Sequence, residues 1–383
     1  MKALDARFTE LLDTPVVVID LEIVQRNIDR LQAACNAAGV GNRPHIKTHK
    51  SPVIAARQQA AGAIGITCQK LGEAEAMAAA GATDILISYN VVGKPKHARL
   101  RALAARVKLR VCCDNVVAAD GYSAAMTDAQ SGAQEHAMRS AKPAGATGAA
   151  HASANDGLLG VLVECDTGRH RCGVTTPQAA IELARHVAAL PGLRFDGLLL
   201  YPPEGELQPT LSFLEDYRAG CERVGLAPGQ ICTGGTPNSV KLGALGEDEY
   251  RAGTYVYNDR QMIAAGAATI DDCALFIYAT VVSAPEKGRV MVDAGSKTLT
   301  SDLSGFKDHG ILVDYPGSRI AKLAEEHGFV DVFRCASVPA IGEVVRILPN
   351  HACPVSNLCD SVLGVHPDGR SERLEIAARG RVS

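Results

Sequence analysis

A lysine with a histidine two residues to either side, in Pro44-His45-Ile46-Lys47-Thr48-His49-Lys50, is the segment of this chain richest in chemistry. On a strand, residues 45, 47 and 49 would project to one face. A lysine on the inner face of a barrel, near the C-terminal end of a strand, stands where barrel enzymes act. Desolvation and cationic neighbours favour its neutral amine, the form that condenses with a carbonyl to an imine. The spacing by itself equally fits a surface lysine in a polar loop. A second pair, His351 and Cys353 in Pro349-Asn350-His351-Ala352-Cys353, is separated by one residue. In extended chain such residues project together, so imidazole and thiolate can share an ion. Nitrogen plus sulfur favours a borderline divalent ion, zinc first and then cobalt or nickel, with positions left open for water and substrate. An isolated His-x-Cys also arises by chance. Glycine turns supply backbone N–H groups to phosphates, and Thr233-Gly234-Gly235-Thr236 and Gly253-Thr254 are the candidates.

The elements that must position these residues are legible as alternation. Short apolar runs at Pro44–Thr48, Ile64–Cys68, Asp84–Ile87, Leu109–Cys113, Val161–Cys165, Gly197–Tyr201, Gln230–Cys232 and Gly253–Tyr257 are separated mostly by helix-like stretches such as Pro177–Ala189. Alternating strand and helix implies parallel strands with right-handed crossovers, and eight repeats predict a closed (β/α)8 barrel over residues 14–265. An open doubly wound sheet is the alternative. The two glycine turns then fall at the seventh and eighth strands, the usual phosphate position of such barrels. Beyond residue 266 the texture becomes β-rich, which predicts a mostly antiparallel β domain to residue 383 in which only Gly317–His327 reads as helical. Residues 1–13, or the strand Thr14–Asp20, are expected to join that domain. Ala118–Asp156, rich in Ala, Gly, Ser and His, reads as a surface insertion without chemistry.

Composition excludes several classes. With 383 residues, 47% hydrophobic and 21% charged, the chain is globular and long enough for a large and a smaller domain. A net charge of −3 and no basic stripe argue against nucleic acid. No apolar run is long enough for a membrane helix, and no signal-peptide core precedes the first strand. The twelve cysteines form no CxxC pair and read as reduced thiols, so a cytoplasmic enzyme is expected.

The motifs also carry a family resemblance. PHIKTHK, following TPVVVIDLEIVQRNI at 14–28, resembles the signature of the D-serine dehydratase, D-threo-3-hydroxyaspartate dehydratase and D-threonine aldolase group. This is the alanine-racemase-like, fold-type III class of pyridoxal 5′-phosphate (PLP) enzymes. Further matches are GEAEA at 72–76, ECDTGRHRCGV at 164–174, TGGTP at 233–237, EYRAGTYVYND at 249–259, VDAGSKTLTSD at 292–302 and PNHACPVSNL at 349–358, so the likeness spans nearly the whole chain outside 118–156. It implies a PLP barrel followed by a β domain, with PLP carried on Lys47 as a Schiff base. It implies an arginine beside the cofactor ring, for which Arg171 and Arg251 are candidates, an ordinary ion pair being the other reading of each. Tyr201 matches an active-site tyrosine or histidine position, although the following Pro202-Pro203-Glu204-Gly205 departs from the polar, His-containing segment of the family. Asp293 and Lys297 fit structural roles as well as functional ones. His351 and Cys353 fall at the family's metal position, where aldolases generally carry His-x-Asp and dehydratases His-x-Cys.

The resemblance then implies a reaction. Lys47 anchors PLP and takes the α-proton of a D-3-hydroxy amino acid, while a divalent ion (zinc first, with Mn, Co, Ni or Mg as alternatives) assists loss of the β-hydroxyl. The products are a 2-oxo acid and ammonia. D-threo-3-hydroxyaspartate is favoured over D-serine, with His45, His49 and Arg171 as suppliers for its extra carboxylate. A metal-dependent D-threonine aldolase is the main alternative, and an amino-acid racemase or a non-enzymatic PLP carrier the lesser ones. The partner is the small-molecule substrate, and the family implies a homodimer.

Overall fold

The computed structural model describes residues 12–127 and 157–383. The chain forms two compact units, one of Ala34–His45, Gly62–Ala252 and Arg381–Ser383, the other of Met1–Ala33, Ile46–Ala61 and Gly253–Gly380. No described helix is long and apolar enough to cross a membrane. The twelve cysteines form no disulfide, and most are buried.

Strand β1 (Val16–Asp20) comes first in the chain, and the next eight strands build the first unit. They are β2 (Gly41–Asn42), β3 (Ile66–Cys68), β4 (Asp84–Asn90), β5 (Lys108–Cys113), β6 (Leu159–Cys165), β7 (Leu193–Leu200), β8 (Gln230–Gly234) and β9 (Glu249–Arg251). All pair in parallel, in the order β2-β9-β8-β7-β6-β5-β4-β3. The remaining edge is joined where His45 bridges Thr67 and the Thr67 N–H donates to the Pro44 carbonyl at 2.8 Å. The parallel barrel of the sequence reading is thus present. Leu86, Cys112, Leu162, Leu199 and Cys232, contributed by five successive strands, form one buried cluster. Capping explains local helix starts: the Thr176 hydroxyl accepts from the Ala179 N–H at 3.2 Å, with Pro177 opening the helix Pro177–Ala189.

Two strand assignments shift. Pro44–Thr48 is not a strand: pairing ends at His45, and Ile46–Thr48 is a 3₁₀ turn. The N–H groups of His49 and Lys50 both fold back on the Ile46 carbonyl, and Lys50 takes φ 51°. The eighth strand is Glu249–Arg251 rather than Gly253–Tyr257, because Gly253 leaves the extended region (φ −122°, ψ −59°) and Thr254–Val256 turns. The start of the expected insertion is instead helical. Residues 118–127 belong to the helix Val116–Thr127, where the buried Tyr122 hydroxyl accepts from the Val91 N–H and donates to the Cys112 carbonyl. Residues 128–156 lie outside the described residues.

Beneath the strand network sits a buried ionic cluster. Arg43 bonds Glu249 at 2.9 Å and Asp84 at 2.6 Å, and Arg110 bonds Glu249 at 2.6 Å. Burial opposes ionisation of Glu249, yet Arg43 and Arg110 hold its carboxyl below the usual range. A depressed carboxylate contributes stability above its unfolded pKa, about 4.3, and loses it as pH falls through the folded value. Glu249→Gln takes the carboxylate from buried Arg110 and leaves Arg43 with Asp84 alone, so it should cost about 3–5 kcal/mol at pH 7. The cost should shrink below about pH 4. Thermal unfolding of both proteins between pH 7 and 3 checks this, and a pH-independent difference would contradict it.

The second unit holds the antiparallel sheet, with β10 (Leu275–Glu286), β11 (Arg289–Val292), β12 (Gly310–Leu312), β13 (Arg319–Leu323), β14 (Gly328–Asp331), β15 (Val344–Pro349), β16 (Ser361–Val365) and β17 (Ser371–Glu375). The path is β13-β14-β11-β10-β1-β16-β17, with β15 pairing both β10 and β12. Strand β1 lies inside it, antiparallel to β10 and parallel to β16. Gly317–His327, read as helical, is instead β13 and its turn into β14. Cross-strand pairs override helix propensity there: Ile320 faces Val330, and Arg319 bonds Asp331 at 2.8 Å. Asp293 accepts from the Thr14 hydroxyl and the Thr280 N–H, and exposed Lys297 pairs with Glu325 and Glu326.

Candidate active site

In the second unit the Lys47 turn and the His351–Cys353 pair come together. The Thr48 hydroxyl lies 3.2 Å from Cys353 Sγ, and the Thr254 hydroxyl 3.8 Å from it. His351, two residues past the end of β15, is the extended N-cap of the helix Ala352–Leu358, so the pair sits at a helix start just after a strand rather than in extended chain. That junction is pinned. Asn350 donates to the carbonyls of Leu303 and Asp308 and accepts from Arg260, while buried Asp259 accepts from the N–H groups of Met262 and Ala352.

The electrostatics of the pair follow from its neighbours. Burial alone would lower the His351 pKa, but Cys353 and Asp302 outweigh it and push it up to about 9. Burial also opposes ionisation of Cys353, yet His351, the charge of Lys47 and the Thr48 hydroxyl hold the thiol below its ordinary value. Asp302 Oδ2 lies 3.0 Å from His351 Nδ1, which orients the ring. Such an imidazole–thiolate pair with a carboxylate behind the histidine suits a zinc-like ion. Among the described residues no group of three or more His, Cys, Asp or Glu surrounds an ion position, so these two would be its protein ligands.

His49 does not share a strand face with Lys47. It is fully buried, with Nδ1 accepting from the Ser51 N–H and Nε2 against Gln58 Oε1, and burial lowers its pKa to about 4. An uncharged, doubly engaged imidazole cannot receive a substrate carboxylate. Lys50 donates to Asn357 at 2.7 Å.

The barrel unit carries the other candidates at the C-terminal ends of β8 and β9 and on the loops after β6, β7 and β8, the C-terminal face of the strands. Asp166 accepts from the N–H groups of Gly168, Arg169 and Arg171, shaping the loop after β6. Arg171 is half exposed and meets Glu164 at 3.5 Å. Burial raises the Glu164 pKa, against the pull of Arg171. Tyr201 lies under Arg169 at 4.2 Å and Arg171 at 5.5 Å. Arg251 is buried and donates to Cys232 Sγ at 3.1 Å and to the Leu200 carbonyl at 2.7 Å. His45 faces Gln69 and Ser88, so it too is occupied.

The glycine turn has the form a phosphate cradle needs. A Cβ on Gly234 would lie 2.5 Å from the Arg251 carbonyl oxygen. Gly235 takes φ 111°, and a Cβ there would meet the Tyr201 ring at 2.9 Å. Buried Thr233 Oγ1 has no hydrogen-bond partner among the described residues. An orphaned hydroxyl beside a turn closed to side chains fits an anionic group. Asp302, Asp259 and Glu164 were missed in the sequence. Asp259 had a signal, as the cap residue before Arg260–Ala264, whereas Asp302 stands 49 residues from His351 with no spacing rule to link them.

Comparison with known proteins agrees with this architecture. The alanine racemase N-terminal domain family matches residues 19–261, and a serine dehydratase domain family matches residues 274–365. The chain is 35% identical to a D-threonine aldolase of Arthrobacter sp., over 96% of this chain and 93% of that protein. It is 33% identical to the D-threo-3-hydroxyaspartate dehydratase of Delftia sp. (strain HT23), over 95% and 97%. The crystal structure of D-threonine aldolase from Filomicrobium marinum superposes with a TM-score of 0.83 at 32% identity, covering 97% of each chain. A cysteine-to-alanine variant of a D-threo-3-hydroxyaspartate dehydratase, solved in a metal-free form, gives a TM-score of 0.77 at 30% identity, covering 96% and 98%. This chain therefore belongs to the alanine-racemase-like, fold-type III family of PLP-dependent enzymes that includes D-threonine aldolases, D-threo-3-hydroxyaspartate dehydratases and D-serine dehydratases.

Proposed function

We propose that the protein is a PLP- and divalent-metal-dependent dehydratase that removes water from a D-3-hydroxy amino acid, giving a 2-oxo acid and ammonia. The observation that carries this reading is the His351–Cys353 donor pair in the turn-to-helix junction beside Thr48. Lys47 Nζ is assigned the covalent attachment of PLP, and afterwards acceptance of the substrate α-proton. Thr233, Gly234, Gly235, Gly253 and Thr254 are assigned to the phosphate, and Arg171, Tyr201 and Arg251 to the ring and its substituents. The bound cofactor supplies an electron sink for Cα. His351 and Cys353 would hold the divalent ion, zinc ahead of Mn, Co, Ni or Mg, and it would supply Lewis-acid assistance at the β-hydroxyl oxygen. Asp302 fixes the His351 ring, and Asp259 holds the backbone at Ala352 so that imidazole and sulfur keep their placement.

D-threo-3-hydroxyaspartate, giving oxaloacetate, is placed ahead of D-serine, giving pyruvate. Identity to the hydroxyaspartate dehydratase is 33%, against 23% to the D-serine dehydratase of Dictyostelium discoideum, which supports that order. The reading includes a cytoplasmic homodimer. A metal-dependent D-threonine aldolase is the second reading, supported by the 35% identity to the Arthrobacter enzyme. Metal-loaded holoenzyme incubated separately with the two hydroxy amino acids and D-threonine distinguishes them. The dehydratase yields oxo acid and ammonia, whereas glycine and acetaldehyde from D-threonine would overturn it.

A further inference from the structure

The loop that departs from the family pattern, Pro202-Pro203-Glu204-Gly205, is tied down in an ordered way. Asn238 Nδ2 donates to the carbonyls of Pro202 and Pro203, Asn238 Oδ1 accepts from the Gly205 N–H, and Lys241 donates to the Gly205 carbonyl. Arg169 reaches this loop from the Asp166 turn. Its Nε donates to the Pro202 carbonyl at 3.2 Å and its Nη2 to Glu204 Oε1 at 3.3 Å. The guanidinium carbon also lies over the Tyr201 ring, 4.2 Å from its centroid, and Tyr201 is the residue that follows β7.

Three features separate Arg169 from a surface ion pair. Its backbone N–H is held by Asp166, so the side chain starts from a fixed point. The Tyr201 ring and the Pro202 carbonyl both hold the guanidinium. Its carboxylate partner, by contrast, is a half-exposed side chain engaged through one oxygen at a long distance. A fixed guanidinium with a replaceable carboxylate is built to exchange one carboxylate for another, because a guanidinium fork prefers two parallel bonds to a single long one.

We propose that Arg169 is the specificity-determining residue for a dicarboxylic substrate, binding the side-chain carboxylate of a 3-hydroxyaspartate, with Glu204 as its placeholder in the free enzyme. The inference rests on the reading of the protein as an enzyme of D-3-hydroxy amino acids, and it names which of them. D-Serine lacks the second carboxylate and leaves the Arg169–Glu204 pair undisturbed.

The test compares D-threo-3-hydroxyaspartate with D-serine on metal-loaded holoenzyme. Arg169→Gln should lower kcat/KM for hydroxyaspartate about 10- to 100-fold, mainly through KM, and change that for D-serine less than about threefold. Arg169→Lys should recover part of the loss. Glu204→Gln should lower KM for hydroxyaspartate alone, since it removes the competing carboxylate. Equal losses on both substrates, no loss on hydroxyaspartate, or a wild type that does not turn it over would each overturn the proposal. Products are identified in the same assays. If hydroxyaspartate is cleaved to glycine and glyoxylate, the dehydratase reading fails, while the substrate-selective effect of Arg169 still decides this proposal.

Discussion

Lys47→Ala should abolish both turnover and the visible absorbance of covalently held PLP, with activity falling by at least about 10⁴-fold. Both proposed roles are lost at once, the covalent anchor and the α-proton acceptor. The neighbouring lysine cannot take over, because Lys50 is buried and bonded to Asn357 at 2.7 Å. Borohydride reduction of the wild type followed by peptide mapping should place the cofactor on residue 47 alone. A retained imine in the variant, or a label on Lys50, would refute the assignment.

Cys353→Ala should leave PLP bound and spectrally intact while metal content falls, and kcat should drop by about 10³-fold, the scale of several kcal/mol of Lewis-acid stabilisation. Chelation of the wild type should reproduce the loss and added zinc should reverse it, whereas the variant should ignore micromolar zinc. Replacing the thiolate by a carboxylate, Cys353→Asp, should move the preference toward harder ions such as manganese, because oxygen donors suit them. Metal analysis beside the rate measurement separates loss of the ion from loss of the fold. Full activity of Cys353→Ala in metal-free buffer would count decisively against a metal on this residue.

Much of the fold was legible because its causes are local. Strand–helix alternation reports on packing within a few turns of chain, so the parallel strands and the change of texture after residue 266 could be read directly. The errors fall where longer-range contacts decide. Gly317–His327 has helical composition, yet Ile320 and Arg319 are captured by Val330 and Asp331 on the facing strand. The Lys47 segment was read as strand because its residues alternate, but pairing ends at His45 and both following amides turn back to Ile46. Lys47 still has company, though not the expected histidine: His49 is buried and uncharged, and it is Cys353 whose sulfur responds to the lysine's charge. The cap at Asp259 has a short-range signature and could have been found. Asp302 behind His351 could not, since no spacing rule connects two loops 49 residues apart.

The contact between Thr48 and Cys353 spans 305 residues of chain. At about 5–20 residues per second on a ribosome, roughly 15–60 s separate the emergence of its two halves. Throughout that interval Lys47 is already made, and nearly all of the barrel strands can pair, while the sulfur and imidazole do not yet exist. A chain that stalls before residue 349 thus carries Lys47 without the proposed metal-binding pair, and β1 lacks the strand β16 that pairs with it in parallel. Nascent chains halted at successive lengths should gain protease resistance in the segment 62–252 first, and around Lys47 only once the final third has been translated.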